Sequence, residues 1–285
     1  MRTIHLWIVA AFLVHMPLVA QAPNADHPKV ITMDEEPHHH RALHNEYVNV
    51  FKVEVAPGDS IVMHQHDNDT AAIAIGDQDV TVGVPGKPDV HQKNADGQVR
   101  LQRVGYVHST RVDGATAYHT VAVELLRPQG NPRNLCAQVI AGQPLNCPKV
   151  SPGASSATSI GQPQFESDQT RIQIARVLPH QSVDIGHLTY FQLIVALDPA
   201  SISPASGKGP DQKLHPGDFI WFDKGGPSRL YKNGGKKEAR FVELAFSPVD
   251  PSHQLLNVPG SNPAVGRLAR VVAKHISERP AQEHF

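Results

Sequence analysis

Val50-Phe51-Lys52-Val53-Glu54-Val55-Ala56-Pro57-Gly58 alternates apolar and polar side chains and runs into a Pro-Gly pair. That is the pattern of a half-buried strand ending in a turn. Ile172-Gln173-Ile174-Ala175-Arg176-Val177-Leu178-Pro179 repeats it 122 positions later. Two further pairs follow in the same order. Asp96-Gly97 opens Gln98-Val99-Arg100-Leu101, and Pro216-Gly217-Asp218 opens Phe219-Ile220-Trp221-Phe222, 120 positions on. Val123-Glu124-Leu125 returns as Val242-Glu243-Leu244 at an offset of 119. Three anchors in one order at nearly one spacing mark a duplication.

The duplication divides the 285 residues into two units, 46–130 and 166–250. The 21 glycines and 24 prolines punctuate short strands rather than long helices, so each unit reads as an all-β sandwich or barrel. Residues 131–165 form a linker by composition. They contain Cys136, Cys147 and the run Ser151-Pro152-Gly153-Ala154-Ser155-Ser156. Residues 23–45 form a polar arm with His38-His39-His40, expected to be solvated. In the tail, 251–285, Ser261-Asn262-Pro263 opens a short helix, with Asn262 as N-cap and Pro263 in the first turn. Val265, Leu268, Val272 and Ile276 give that helix an apolar stripe that packs on its own domain or touches a membrane surface.

Residues 1–22 read as an export signal: Arg2, an apolar run from Ile8 to Leu13, and the small-x-small site Ala20-Gln21-Ala22. His15 and Pro17 interrupt the run before it reaches the ~20 residues that span a bilayer. The expected location is periplasmic or secreted, with no membrane span after cleavage. In such a compartment Cys136 and Cys147 can pair; the alternative is two unrelated thiols. A net charge of −1 lacks the basic surplus of a nucleic-acid binder.

Within the first unit, Gly58-Asp59-Ser60-Ile61-Val62-Met63-His64-Gln65-His66 carries two histidines on one face of a strand. Gly105-Tyr106-Val107-His108 brings a third on another strand. Imidazoles grouped in this way suit Zn, Cu, Fe and Ni. Gly58, His64, His66 and Gly76, then Gly97, Gly105 and His108, resemble the two motifs of the cupin superfamily. Arg103 stands where the second motif has proline. The resemblance covers both units. It implies two tandem double-stranded β-helix (jelly-roll) barrels and one divalent transition metal, Fe, Mn, Zn, Cu or Ni. The motif's glutamate falls at Thr70, so the resemblance implies a three-His centre as in the thiol dioxygenase branch. Asp69 or Asp67 would join it if the strand bends. Thr70 and Tyr106 are candidate substrate contacts, Tyr106 as donor or acid. Pairing of edge strands into a homodimer is implied by resemblance alone.

In the second unit Gly186 and Leu188 align with His64 and His66, and Ser228 aligns with His108, so that barrel should hold no metal. Trp221, Phe222 and Tyr231 line a pocket there or fill the core. Three functions remain open. One is a metal-dependent enzyme acting on a small molecule, dioxygenase-like or an isomerase or lyase. Another is a non-catalytic metal or small-ligand binder. The third is a structural protein with a filled barrel.

Overall fold

The computed structural model describes residues 30–148, 159–185 and 190–246. The signal segment, the helix expected after Ser261 and the stretch Gly186-His187-Leu188 lie outside them. The described residues form twenty strands. Among them no helix is long and apolar enough to cross a membrane.

Two sheets face each other in the first barrel. One runs β1 (Ile31–Thr32), β4 (Ser60–Gln65), β9 (Val107–Val112), β6 (Gln78–Gly83) and β7 (Val90–Asn94). The other runs β2 (His39–His44), β3 (Val48–Val55), β10 (Tyr118–Leu125), β5 (Asp69–Ala74) and β8 (Val99–Gln102). The second barrel has a six-stranded sheet of β11 (Arg133–Asn134), β12 (Ser159–Glu166), β13 (Thr170–Val177), β20 (Ala239–Phe246), β15 (Phe191–Ala196) and β18 (Phe219–Phe222). Its other sheet is β14 (Ser182–Ile185), β19 (Arg229–Lys232), β16 (Ala200–Pro204) and β17 (Gln212–Leu214). With β1 and β11 set aside, the strand orders of the two barrels match one for one.

The registers refine the duplication. Tyr118 lies opposite Val55, and Ala239 opposite Val177. β10 and β20 therefore correspond at an offset of 121, and the Val-Glu-Leu match slips by two positions. An even slip leaves every side chain on its own face.

The repeat also reaches further toward the N-terminus of each unit than the sequence indicates. β2 pairs along β3 with His39 opposite Val53, and β12 pairs along β13 with Gly161 opposite Ala175. Both hairpins break register at the same point, between Arg41 and Leu43 and between Pro163 and Phe165. So part of the expected arm and part of the expected linker are strands. Pro163 is tolerated because it sits at the irregularity, where the ladder can spare an N–H.

Both faces of β3 are buried from Val48 to Phe51. Phe51, Val53 and Val55 enter the first barrel, with Ile61, Val80 and Val112. Val48 and Val50 point the other way and meet Ile172, Leu193, Val242 and Leu244 of the second barrel in an apolar cluster between the two. Trp221 belongs to this junction, its ring against Tyr47, Phe191 and Phe246. Phe222 and Tyr231 instead fill the second barrel's interior. Among the described residues two ion pairs cross the junction, Lys52 Nζ to Asp218 Oδ1 at 3.0 Å and Arg240 to Asp96 Oδ2 at 2.6 Å. A disulfide joins Cys136 to Cys147. It ties a segment whose Val139 and Ile140 pack on the same junction.

Candidate metal centre

His64 lies directly opposite His108 across the β4–β9 pair, and His66 follows at the end of β4. All three are buried, and one nitrogen from each falls within 4.8 Å of the others. The chain secures this end of the barrel through its backbone. Gly105 N–H donates to His66 O at 2.8 Å, and His66 N–H donates to Tyr106 O at 2.9 Å. Gly105 sits at φ +80°, which a residue with a Cβ adopts only under strain.

The outer nitrogens are held. His64 Nδ1–H donates to Val62 O at 2.9 Å. His66 Nδ1 meets Thr70 Oγ1 at 3.0 Å, and that hydroxyl donates onward to Asn68 O at 3.2 Å. His108 Nδ1 faces Thr110 Oγ1 at 3.4 Å. Protons on the Nδ1 atoms of His64 and His66 leave their Nε2 lone pairs bare. His66 Nε2 and His108 Nε2 are 3.0 Å apart. His64 Nε2 is buried with no hydrogen-bond partner.

Burial disfavours charge on these rings. It lowers His64 to about 4, against the Val62 hydrogen bond, and His66 to about 3, where the neighbouring His64 adds to the effect. Burial first, then His64 and His66, pushes His108 well below its ordinary value. The rings are therefore neutral at physiological pH, the form in which imidazole binds metal. Two imidazoles at ordinary distances from one ion stand roughly 2.9–3.4 Å apart, and the 3.0 Å pair matches. An orphaned buried nitrogen beside that pair fits a cation better than it fits a packed core.

The other candidates take distinct places. Thr70 is fully buried, with its hydroxyl against His66 Nδ1. Asp69 faces away from the cluster. Its carboxylate accepts from Val104 N at 2.9 Å and pairs with Arg103 Nε at 3.2 Å, so it pins the loop before His108. The reason is alternation: Thr70 and Ala72 turn inward, so Asp69 turns out. Asp67 accepts from the Gln65 amide at the surface, at 3.1 Å. Tyr106 precedes β9 and stacks on His108 with ring centroids 4.7 Å apart. Burial raises its phenol.

Four residues at this end were not singled out from sequence. The Gln102 amide is 3.4 Å from His108 Nε2. Glu124, in register with Thr70, accepts from Asn49 Nδ2 at 2.5 Å and Asn68 Nδ2 at 3.0 Å. A carboxylate in the otherwise apolar run Val121-Ala122-Val123-Glu124-Leu125 was its visible signal. Glu36 and His39 come from the supposedly solvated arm. Both are buried, and the His39 ring lies 4.9 Å from that of His64. Nothing in the arm's composition marks them out, because β2 is largely exposed apart from His39.

In the second barrel, Gln192 takes Thr70's place and Phe222 takes Gln102's. Strand register puts Arg229 opposite Ile185, as His108 stands opposite His64, so Arg229 rather than Ser228 is the counterpart of the histidine. Its interior polar group is Glu243, which accepts from Gln173 Nε2 at 2.5 Å and Gln192 Nε2 at 2.6 Å. Among the described residues no metal-ligating group forms there. The other such group, Asp79, His91 and Asp113, is on the first barrel's surface. Lys93 and Arg111 already pair with its carboxylates.

No family model and no curated protein matches the chain. Solved structures do resemble it. AerE from Microcystis aeruginosa aligns at a TM-score of 0.49 and 10% identity, over 74% of this chain and 98% of that one. Salicylate 1,2-dioxygenase from Pseudoaminobacter salicylatoxidans aligns at 0.46 and 13%, over 72% and 69%. A cupin domain from Bordetella pertussis Tohama I aligns at 0.30 and 18%, over 34% and 96%. By its own strand order, its duplication and its inward histidines at motif spacing, this chain has the fold of two tandem cupin-type barrels.

Proposed function

We propose that the protein is an exported metal-dependent enzyme whose first barrel holds one divalent transition metal ion on His64, His66 and His108 and works on a small molecule. The observation that carries this reading is the His64 Nε2 lone pair, buried and unpartnered beside the 3.0 Å His66–His108 pair. Three neutral imidazoles leave the ion's charge uncompensated and fill only part of a coordination sphere, so an anionic or chelating ligand is favoured there. A redox ion would supply oxygen chemistry in the manner of a dioxygenase, and Zn or Mn would supply Lewis-acid chemistry for an isomerase or lyase.

The chain's own contribution is orientation. Val62, Thr70 and Thr110 fix the imidazoles from behind, as outer partners of metal-binding histidines do. Gln102 and Tyr106, against His108, are the groups placed to bind the small molecule. The second barrel contributes stability through the junction rather than a second site.

The test is elemental analysis of the mature protein, purified without a His-tag, beside the His64→Ala/His108→Ala double variant. About one equivalent of metal in the wild type, lost in the variant, supports the reading. Equal metal in both sinks it. Metal without turnover on any chelating or thiol substrate would move the assignment to a non-catalytic binder.

A further inference from the structure

Ile61 and His64 both face the first barrel's interior, although three positions separate them. Simple alternation would turn them to opposite faces. The ladder to β9 shifts register between Ile61 and His64 and absorbs the extra residue, as a β-bulge does. Without that bulge, Met63 and Gln65 would point inward and the histidines outward.

A bulge leaves backbone groups without ladder partners. Val62 N–H, at this bulge, donates to Glu36 Oε1 at 3.2 Å, while Val62 O accepts from His64 Nδ1 at 2.9 Å. One residue of the bulge therefore links Glu36 to the His64 ring. The same carboxylate accepts from the His38 backbone at 2.8 Å and from His39 Nδ1 at 2.7 Å. His39 in turn packs against His64. Glu36 is only 1% exposed. Burial opposes its charge, yet its hydrogen bonds to His39 and His38 hold the carboxyl down at about 2, so it is anionic.

We infer that Glu36 is the positioning residue of the three-His centre: it holds the bulge that turns His64 inward, and its charge offsets that of the bound ion. This rests on the metal reading above. The motif's missing carboxylate is thus answered from the turn between β1 and β2, one layer behind the ligands. The second barrel fits the same logic in reverse. β14 pairs β19 with no register shift, Ile185 takes the place of His64 and Gly161 that of His39, so among the described residues bulge, His64 and His39 have no counterpart there.

The experiment is a Co²⁺ titration of the full-length mature protein against a competing chelator, reading the visible d–d bands. Wild type, Glu36→Gln, Glu36→Ala and His64→Ala/His108→Ala are compared, with thermal melts of each metal-free protein. Glu36→Gln keeps an oxygen for Val62 N–H but no charge. Removal of an outer partner weakens metal binding by roughly 10–100-fold. That loss is expected for Glu36→Ala with altered bands, and a smaller loss for Glu36→Gln. A wild-type affinity and spectrum in both variants, beside lost binding in the histidine variant, would overturn the inference and leave the metal site standing. A lower apo melting temperature with unchanged affinity and bands would overturn it equally, making Glu36 a fold residue. No Co²⁺ uptake by the wild type would remove the metal reading itself.

Discussion

Glu243→Gln should remove a pH dependence of stability that is written into the second barrel. Glu243 is buried among Gln173, Gln192 and Tyr190. Burial raises its carboxyl from 4.5 to about 7, against the hydrogen bonds of those three groups. The folded protein thus binds this proton more tightly than the unfolded chain does. Between those two pKa values the folded state holds more protons, so stability falls as pH rises. The favourable contribution is complete below 4.5 and is lost as pH passes 7. A shift of this size corresponds to roughly 3 kcal/mol at about 1.4 kcal/mol per pKa unit. Glutamine has the shape of the protonated acid but does not titrate. Urea unfolding of both proteins, with the disulfide intact, should give similar stabilities near pH 4.5. By pH 7.5 the variant should be the more stable, by about 3 kcal/mol relative to the acid-side difference. Histidine titrations elsewhere cancel in the comparison. A difference curve flat from pH 4.5 to 7.5 would refute the reasoning and make Glu243 an ordinary ionised carboxylate.

Thr70→Val removes the hydroxyl behind His66 while keeping its shape. It should weaken metal binding by about 10–100-fold in a chelator competition, with little change in the melting temperature of the metal-free protein. Gly97→Ala and Gly105→Ala both place a Cβ at positive φ, but at Gly97 that atom would come within 2.7 Å of Leu197 Cδ1 across the barrel junction. Gly97→Ala should therefore be the more destabilising by about 1–3 kcal/mol in urea unfolding. Cys136→Ser/Cys147→Ser opens an 11-residue separation; the expected loss is at most about 3 kcal/mol, with metal content unchanged. Ser228→Ala should leave metal content unchanged, as elemental analysis would show.

The duplication was legible because period-two alternation and Gly-Pro turns survive divergence: Val50–Val55 and Ile172–Val177 carry it on their faces. The histidine cluster was legible because His64 and His66 share a face at an i, i+2 spacing and His108 keeps motif distance. The route to that geometry was not. Sequence alternation puts the two histidines on one face but says nothing of which face. A bulge capped by a residue 26 positions upstream determines that. β12 fell within the stretch read as linker from its composition; Gly161 and Pro163 are poor strand formers, and pairing to β13 overrides them. Arg229 displaced Ser228 because register, not spacing from a glycine, fixes which residue meets β14.

The matching irregularities in β2 and β12 belong to the backbone that the two units share. Two hairpins that break register between Arg41 and Leu43 and between Pro163 and Phe165 carry a kink at the same internal coordinate. None of the side chains around the kink is shared, so the bend needs no particular residue at that point, and one backbone frame carries His39 in the first barrel and Gly161 in the second.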